Sequence, residues 1–195
     1  MATLLRDPKI LEYDILAIQE PWRNPFASTT HHPAKDIFHL CYPTRGRDGP
    51  ARVCFFINKR LDPTTWHFKE HTRDVCSIMI NLDPANQAEA QLNVFNIYNP
   101  TQTTENRRSV LPITHNLLSE QESCGQVVLG DFNLHHQMWG GSRVVRNDHE
   151  AEELINTTER FSLSNTLEAG TITYEEGQFR PLLTSVGQHL ALLTG

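Results

Sequence analysis

Three apolar runs in this chain stop abruptly at polar side chains. Ile15-Leu16-Ala17-Ile18 gives way to Gln19-Glu20-Pro21, Val94-Phe95-Asn96-Ile97 to Tyr98-Asn99-Pro100, and Val127-Val128-Leu129 to Gly130-Asp131-Phe132-Asn133. Short apolar runs rich in β-branched residues and bounded by turn residues read as buried strands. Strands that end in an acid, an amide or a phenol bring hard oxygen groups to the rim of a sheet, and Mg²⁺ chemistry uses such groups as ligands and orienting partners. In the third run Asp131 and Asn133 are two apart, so on an extended chain they project to the same side. One can then take a proton from a water while the other holds that water or a phosphate oxygen. Gly130 permits a close backbone approach. Each string also has a plainer reading: a Glu before Pro ends a strand, Tyr-Asn-Pro makes a turn, and Gly-Asp-x-Asn makes an Asx turn.

The remaining pattern fills in an α/β chain. Residues 38–42, 51–58, 66–71, 75–82 and 92–99 read as strands, with 83–91 as a hairpin loop and 21–37 as a surface loop. Residues 2–12 read as a short amphipathic helix interrupted by Pro8. A second helix is expected from an N-cap at Thr104, with Glu105 in its first turn, Val110, Ile113 and Leu117 facing inward, and Gly125 ending it. Asp148 is expected to cap a third, with Leu154, Ile155 and Thr158 inward. Residues 171–174 suggest one more strand. Strands in succession followed by helix, strand and helix indicate an α/β arrangement with largely antiparallel sheets.

The 195 residues fit one domain, and 38% hydrophobic with 21% charged residues excludes wholesale disorder. No apolar run approaches the roughly 18 residues that span a bilayer, and the first residues lack the basic region and apolar stretch of a signal peptide. A soluble, intracellular protein of cytoplasm or nucleus, without membrane contact, is expected. Cys41, Cys54, Cys76 and Cys124 form no C-x-x-C pair, so reduced thiols are expected rather than disulfides or zinc ligands. The net charge of −6 restricts any nucleic-acid contact to local basic segments, for which Arg45-Gly46-Arg47 and residues 143–146 are the candidates. The pairs His31-His32 and His135-His136 are metal-ligand types, although adjacent loop histidines are more often solvent-facing.

Taken together, Ile18-Gln19-Glu20, Tyr98-Asn99-Pro100 and Gly130-Asp131-Phe132-Asn133 resemble the endonuclease/exonuclease/phosphatase superfamily, in order and separation. The longer string from Gly130 through Leu134-His135-His136-Gln137-Met138-Trp139-Gly140-Gly141 is similar to the endonuclease domains at the head of non-LTR retrotransposon polyproteins. Gln19-Glu20-Pro21-Trp22 and Gly170-Thr171-Ile172-Thr173-Tyr174 look like the same subgroup. The resemblance implies a two-sheet α/β sandwich of the apurinic-endonuclease type. It implies a Mg²⁺-dependent hydrolysis of DNA phosphodiesters, with Mn²⁺ as a substitute metal, and a fused reverse transcriptase in the parent element. By position, Glu20 and Asp131 look like the metal residues. Asp131, Asn133 and Tyr98 look like the catalytic set, and Asn99 and His136 look like substrate contacts.

The chain also departs from that family. The family's first strand, which ends in an Asn near the metal, has no counterpart before residues 1–12, and no Ser-Asp-His triplet occurs. An incomplete and catalytically impaired copy is therefore expected, with a partial domain at 1–179. Read in a displaced frame with permitted codons, Arg180 to Gln188 are compatible with Ser-Thr-Ile-Asp-Leu-Ser-Trp-Ala, close to the family's Asp-bearing strand. Residues 180–195 are thus expected to be an out-of-frame tail. Pro181 cannot donate to a strand ladder, and Leu190-Ala191-Leu192-Leu193 suggests helix or loose packing.

Overall fold

The structure, a computed structural model, describes residues 8–21, 32, 34–44, 49–83, 90–101 and 109–171, and the backbone of 189–194. It divides into two compact units, Met1–Asn96 and Ile97–Gly195.

In the first unit β1 (Ile15–Gln19), β2 (Phe38–Cys41) and β3 (Val53–Asn58) form an antiparallel sheet in the order β1-β3-β2. Ile15 lies opposite Ile57, and Phe38 opposite Asn58. Every residue of β3 is buried, as expected of a central strand covered on both faces. One face carries Cys54 and Phe56 against Ala34 and Phe38, with Leu11, Leu16, Ile18, Leu40 and Tyr42 around them. A second sheet begins with β4 (Trp66–Thr72), β5 (Val75–Asn81) and β6 (Gln91–Tyr98), neighbours in that order. β4 and β5 are antiparallel with an irregularity between Glu70 and Thr72. Asn96, fully buried, ties the two sheets together inside this unit. Its Nδ2 donates to the carbonyls of Ile18 and Cys54 at 3.2 and 2.9 Å, and its Oδ1 accepts from Gln19 Nε2 at 2.5 Å. A buried amide with these groups satisfied costs little, whereas unpaired it would be expensive.

The second unit starts at Ile97 of β6. It contains α1 (Leu111–Ser119), β7 (Gly125–Asp131), α2 (Gln137–Gly140), α3 (Ala151–Arg160), β8 (Leu163–Asn165) and β9 (His189–Thr194). From β6 the strand order continues β7-β9-β8. β9 is antiparallel to both neighbours, with Val128 opposite Leu192 and Ser164 opposite Leu193. Apart from 171–174, the strands expected from sequence are present within a few residues, and the architecture is the expected two-sheet α/β one.

Four local expectations need correcting. Residues 190–193 are strand rather than helix. A short apolar run does not reveal its period by itself, and here the backbone of β7 provides a ladder for it. The α1 helix begins at Leu111 with Val110 as N-cap and no side-chain cap; Thr104 and Glu105 lie outside the described residues, and Gly125 opens β7 rather than closing the helix. Asp148 does not cap α3 with its side chain, because that carboxylate is turned to His135; Glu150 is the N-cap. In α3 Thr157, not Thr158, is buried beside Leu154 and Ile155. Near the N-terminus Pro8–Glu12 is a 3-10 turn. Residues 1–7, 172–174 and 180–188 lie outside the described residues, and with them most of the first expected helix and of the 171–174 strand.

The cysteines are free, as expected. Burial pushes the Cys41 thiol up to about 11 and the Cys54 thiol to about 12, and it raises Cys76 and the Tyr42 phenol as well. In the unfolded chain such thiols ionise near 9 and so lose protons first. The stability of the neutral, buried thiols is therefore fully present below pH 9 and lost as pH rises from about 9 toward 12. Thermal melts should show a transition temperature that falls above pH 9, and less steeply in Cys76→Val. A profile flat to pH 11 would contradict this.

Candidate functional site

The third strand end is the most fully built of the three. β7 runs to Asp131, and its carbonyl accepts from the Asn99 backbone N–H at 2.8 Å. The chain does not stay extended. Asn133 adopts a left-handed φ of 49°, and its N–H donates to Asp131 Oδ1 at 3.2 Å. The Asp131–Asn133 segment is an Asx turn, so the argument that both side chains share one side of an extended strand fails. They are held together by the turn instead. Asn is among the few non-glycine residues that enter the left-handed region readily. Asn133 Nδ2 donates to the Asn99 carbonyl at 2.8 Å, which leaves its Oδ1 as the outward acceptor. Both Asp131 and Asn133 are half-buried.

Beneath this turn lies Asn99, fully buried. Its Nδ2 donates to the Phe132 carbonyl at 2.9 Å, and its Oδ1 accepts from the Val110 N–H at 3.2 Å. One side chain thus anchors both the loop after β7 and the entry to α1. Phe132 is buried and Tyr98, at the end of β6, is 8% exposed. Gly130 is required by space: a Cβ there would lie 2.4 Å from the Ile97 carbonyl oxygen.

The loop continues through the two histidines, which have different surroundings. His136 is buried; its Nδ1 accepts from the Met138 N–H at 3.1 Å as the side-chain cap of α2, and its ring packs 5.1 Å from Trp139. Its Nε2 lies 3.8 Å from Glu152. His135 is half-exposed and pairs with Asp148. Trp139 fastens the loop through Nε1 to the Leu134 carbonyl at 2.8 Å. Arg143 and Arg146 are exposed.

In the first unit Glu20 follows β1. It is exposed and has a φ of 47°, a conformation that costs a non-glycine, non-Asn residue on the order of 1 kcal/mol or more. The position is held by its N–H, which donates to the Arg52 carbonyl at 2.7 Å. Arg52 is itself clamped to Asp74 through two contacts of 2.5 and 2.7 Å. Only three described non-glycine residues have a positive φ: Glu20, Asn133 and Ser162. Two of the three are residues singled out from sequence. His32 sits in the core of this unit, its Nδ1 accepting from the Ala34 N–H and its ring edge against Phe56; burial lowers its pKa. His31 and residues 45–47 lie outside the described residues. Among the described residues no three His, Cys, Asp or Glu side chains form a metal cage, and no helix is long and apolar enough to cross a membrane.

A two-sheet α/β fold whose strand ends carry Glu, Tyr-Asn and Asp-x-Asn is the endonuclease/exonuclease/phosphatase architecture. Residues 92–184 match the family model described as endonuclease-reverse transcriptase, and this stretch carries that family's sequence pattern. Among solved structures, the endonuclease domain of TRAS1, a telomere-specific non-LTR retrotransposon, is similar with a TM-score of 0.63 and 15% identity, over 99% of this chain and 78% of that one. The human Nocturnin catalytic domain with bound sulfate is similar with a TM-score of 0.57 and 12% identity, over 99% of this chain and 73% of that one. No curated protein sequence matches the chain. The family match is confined to residues 92–184, and the solved structures share the fold over nearly the whole chain.

Proposed function

We propose that this chain is a Mg²⁺-type DNA phosphodiesterase domain descended from a non-LTR retrotransposon endonuclease, and that these 195 residues are catalytically impaired. The observation that carries the reading is the Asp131–Asn133 turn locked onto Asn99. It presents a carboxylate and an amide oxygen together on a rigid loop, as activation of an attacking water requires. Asp131 takes the proton of that water, and Asn133 Oδ1 orients it. Tyr98 completes the floor of the site. Asn99 and His136, buried and committed to backbone groups, serve the substrate by fixing the loop beneath it. Glu20 and Asp131 are the residues that would hold Mg²⁺. Glu20 suits this role, since its carboxylate is exposed and makes no ion pair or hydrogen bond among the described residues. A bound Mg²⁺ would neutralise charge developing on the scissile phosphate. The natural partners are a DNA phosphodiester and, in the parent element, a fused reverse transcriptase.

Impairment follows from the groups the sequence does not contain. The family's Ser-Asp-His supplies preorganised contacts to the scissile phosphate, and loss of one such donor costs about 10²–10³ in rate. With supercoiled plasmid and Mg²⁺, nicking should stay at background in wild type and in Asp131→Ala alike. Wild-type nicking that vanishes in Asp131→Ala would show that the remaining site suffices. Wild-type nicking retained in Asp131→Ala would remove Asp131 from the mechanism.

A further inference from the structure

His135 is built differently from its neighbour. Its backbone N–H donates to Asp148 Oδ2 at 2.7 Å, its Nδ1 lies 3.0 Å from the same oxygen, and the Asp148 N–H donates back to the His135 carbonyl at 2.8 Å. Two backbone contacts therefore fix the segment, and the third holds the ring. An ionised carboxylate only accepts, so Nδ1 must carry the proton, and Nε2 is the nitrogen left to interact. The side chain is 45% exposed, against 10% for His136. A carboxylate-oriented imidazole with its far nitrogen free is the arrangement used where a histidine must meet a ligand in a set direction. It stands on the loop that begins with the Asp131–Asn133 turn.

We propose that His135, oriented by Asp148, is a phosphate contact of this domain, donating from Nε2 to a non-bridging oxygen of a nucleic-acid phosphodiester. The inference rests on the phosphodiesterase reading above and extends it to a residue with no assigned role. A phosphodiester oxygen only accepts, so the contact needs the imidazolium form. Asp148, from the segment before α3, meets the ring at Nδ1 and so sets its direction. The adjacent histidine turns away to Glu152 of α3, so neither competes for the exposed nitrogen. Because the contact uses the protonated ring, binding should tighten as pH falls.

The test is fluorescence anisotropy of the 195-residue chain with a labelled DNA duplex, without divalent metal, from pH 5.5 to 8. Wild type should bind about tenfold or more tightly at the low end, at the scale of one charge-assisted contact. His135→Gln should keep the fold, checked by circular dichroism, and lose most of that pH dependence. Asp148→Asn should keep the fold but weaken binding, because the carboxylate that sets the ring's direction is gone. In parallel, the His135 imidazole proton resonance should move when a dinucleotide diester is added. Binding whose pH dependence is unchanged in His135→Gln, or a His135 resonance that ignores the dinucleotide, overturns the contact alone. A folded wild type that binds no DNA at any pH overturns both the contact and the phosphodiesterase reading.

Discussion

Gly130→Ala should unfold the second unit at a much lower temperature than wild type. The added methyl would sit 2.4 Å from the Ile97 carbonyl oxygen and 3.0 Å from that residue's carbonyl carbon and Cβ. Two of these three atoms are backbone of β6, so relief requires a strand to move rather than a side chain to swing. Inserting one carbon into a packed core costs about 1–3 kcal/mol when side chains can adjust. Here the cost should reach about 3 kcal/mol or more. At roughly 2–4 °C per kcal/mol for a chain of this size, the melting temperature should drop by about 6–12 °C. Gly130 precedes Asp131, so the same shift would disturb the Asp131–Asn133 turn. A melting temperature within about 2 °C of wild type would show that β6 and β7 have slack the packing does not suggest.

Asn99→Leu should be nearly as damaging, for a different reason. Leucine fills similar space, so little cavity opens. What it leaves behind is the Val110 N–H and the Phe132 carbonyl, both previously met by one amide. An orphaned buried polar group costs about 1–3 kcal/mol, so two suggest about 2–6 kcal/mol together. Urea denaturation should show a lower midpoint with an unchanged slope, the sign of lost stability without a changed denatured state. The Val110 amide should also exchange faster with deuterium. An unchanged midpoint would mean that water reaches these groups and replaces the amide. Asn99→Asp should not restore stability, because Nδ2 lies 3.5 Å from Glu150 Oε1 and a second carboxylate there would be repelled.

The parts of this fold that could be read in sequence are those where one physical effect dominates. Val53–Asn58 and Val75–Asn81 are short, apolar, rich in strand-forming residues and bounded by polar residues, and that combination reads as a strand. Helix starts were less legible, since a cap is decided by what else competes for the capping group. Asp148 has the composition of an N-cap, yet His135 offers its carboxylate two donors. β8 is three residues long and too polar to announce itself; it exists as the outer neighbour of β9. In the candidate site the residue types were legible, but the geometry was not. Asp131 and Asn133 come together through a left-handed residue, a conformation no spacing rule contains. The two histidines were indistinguishable as letters. Only the positions of Met138 and Asp148 make one a cap and the other an oriented, exposed ring.

Asn96 has a consequence for how the chain is made. Its amide joins Gln19 and Ile18, 77 and 78 positions earlier, and Cys54, 42 positions earlier. Contacts at such separations are slow to form because loop closure precedes any gain. On a ribosome adding roughly 5–20 residues per second, β1 and β3 emerge seconds before their clasp does. Until Asn96 has been translated and has left the exit tunnel, the Ile18 and Cys54 carbonyls, paired across the β1–β3 ladder, lack the amide that joins them to the second sheet. The nascent first unit must therefore wait, half-assembled and with apolar strands uncovered, which makes that interval the natural point for a chaperone to engage it.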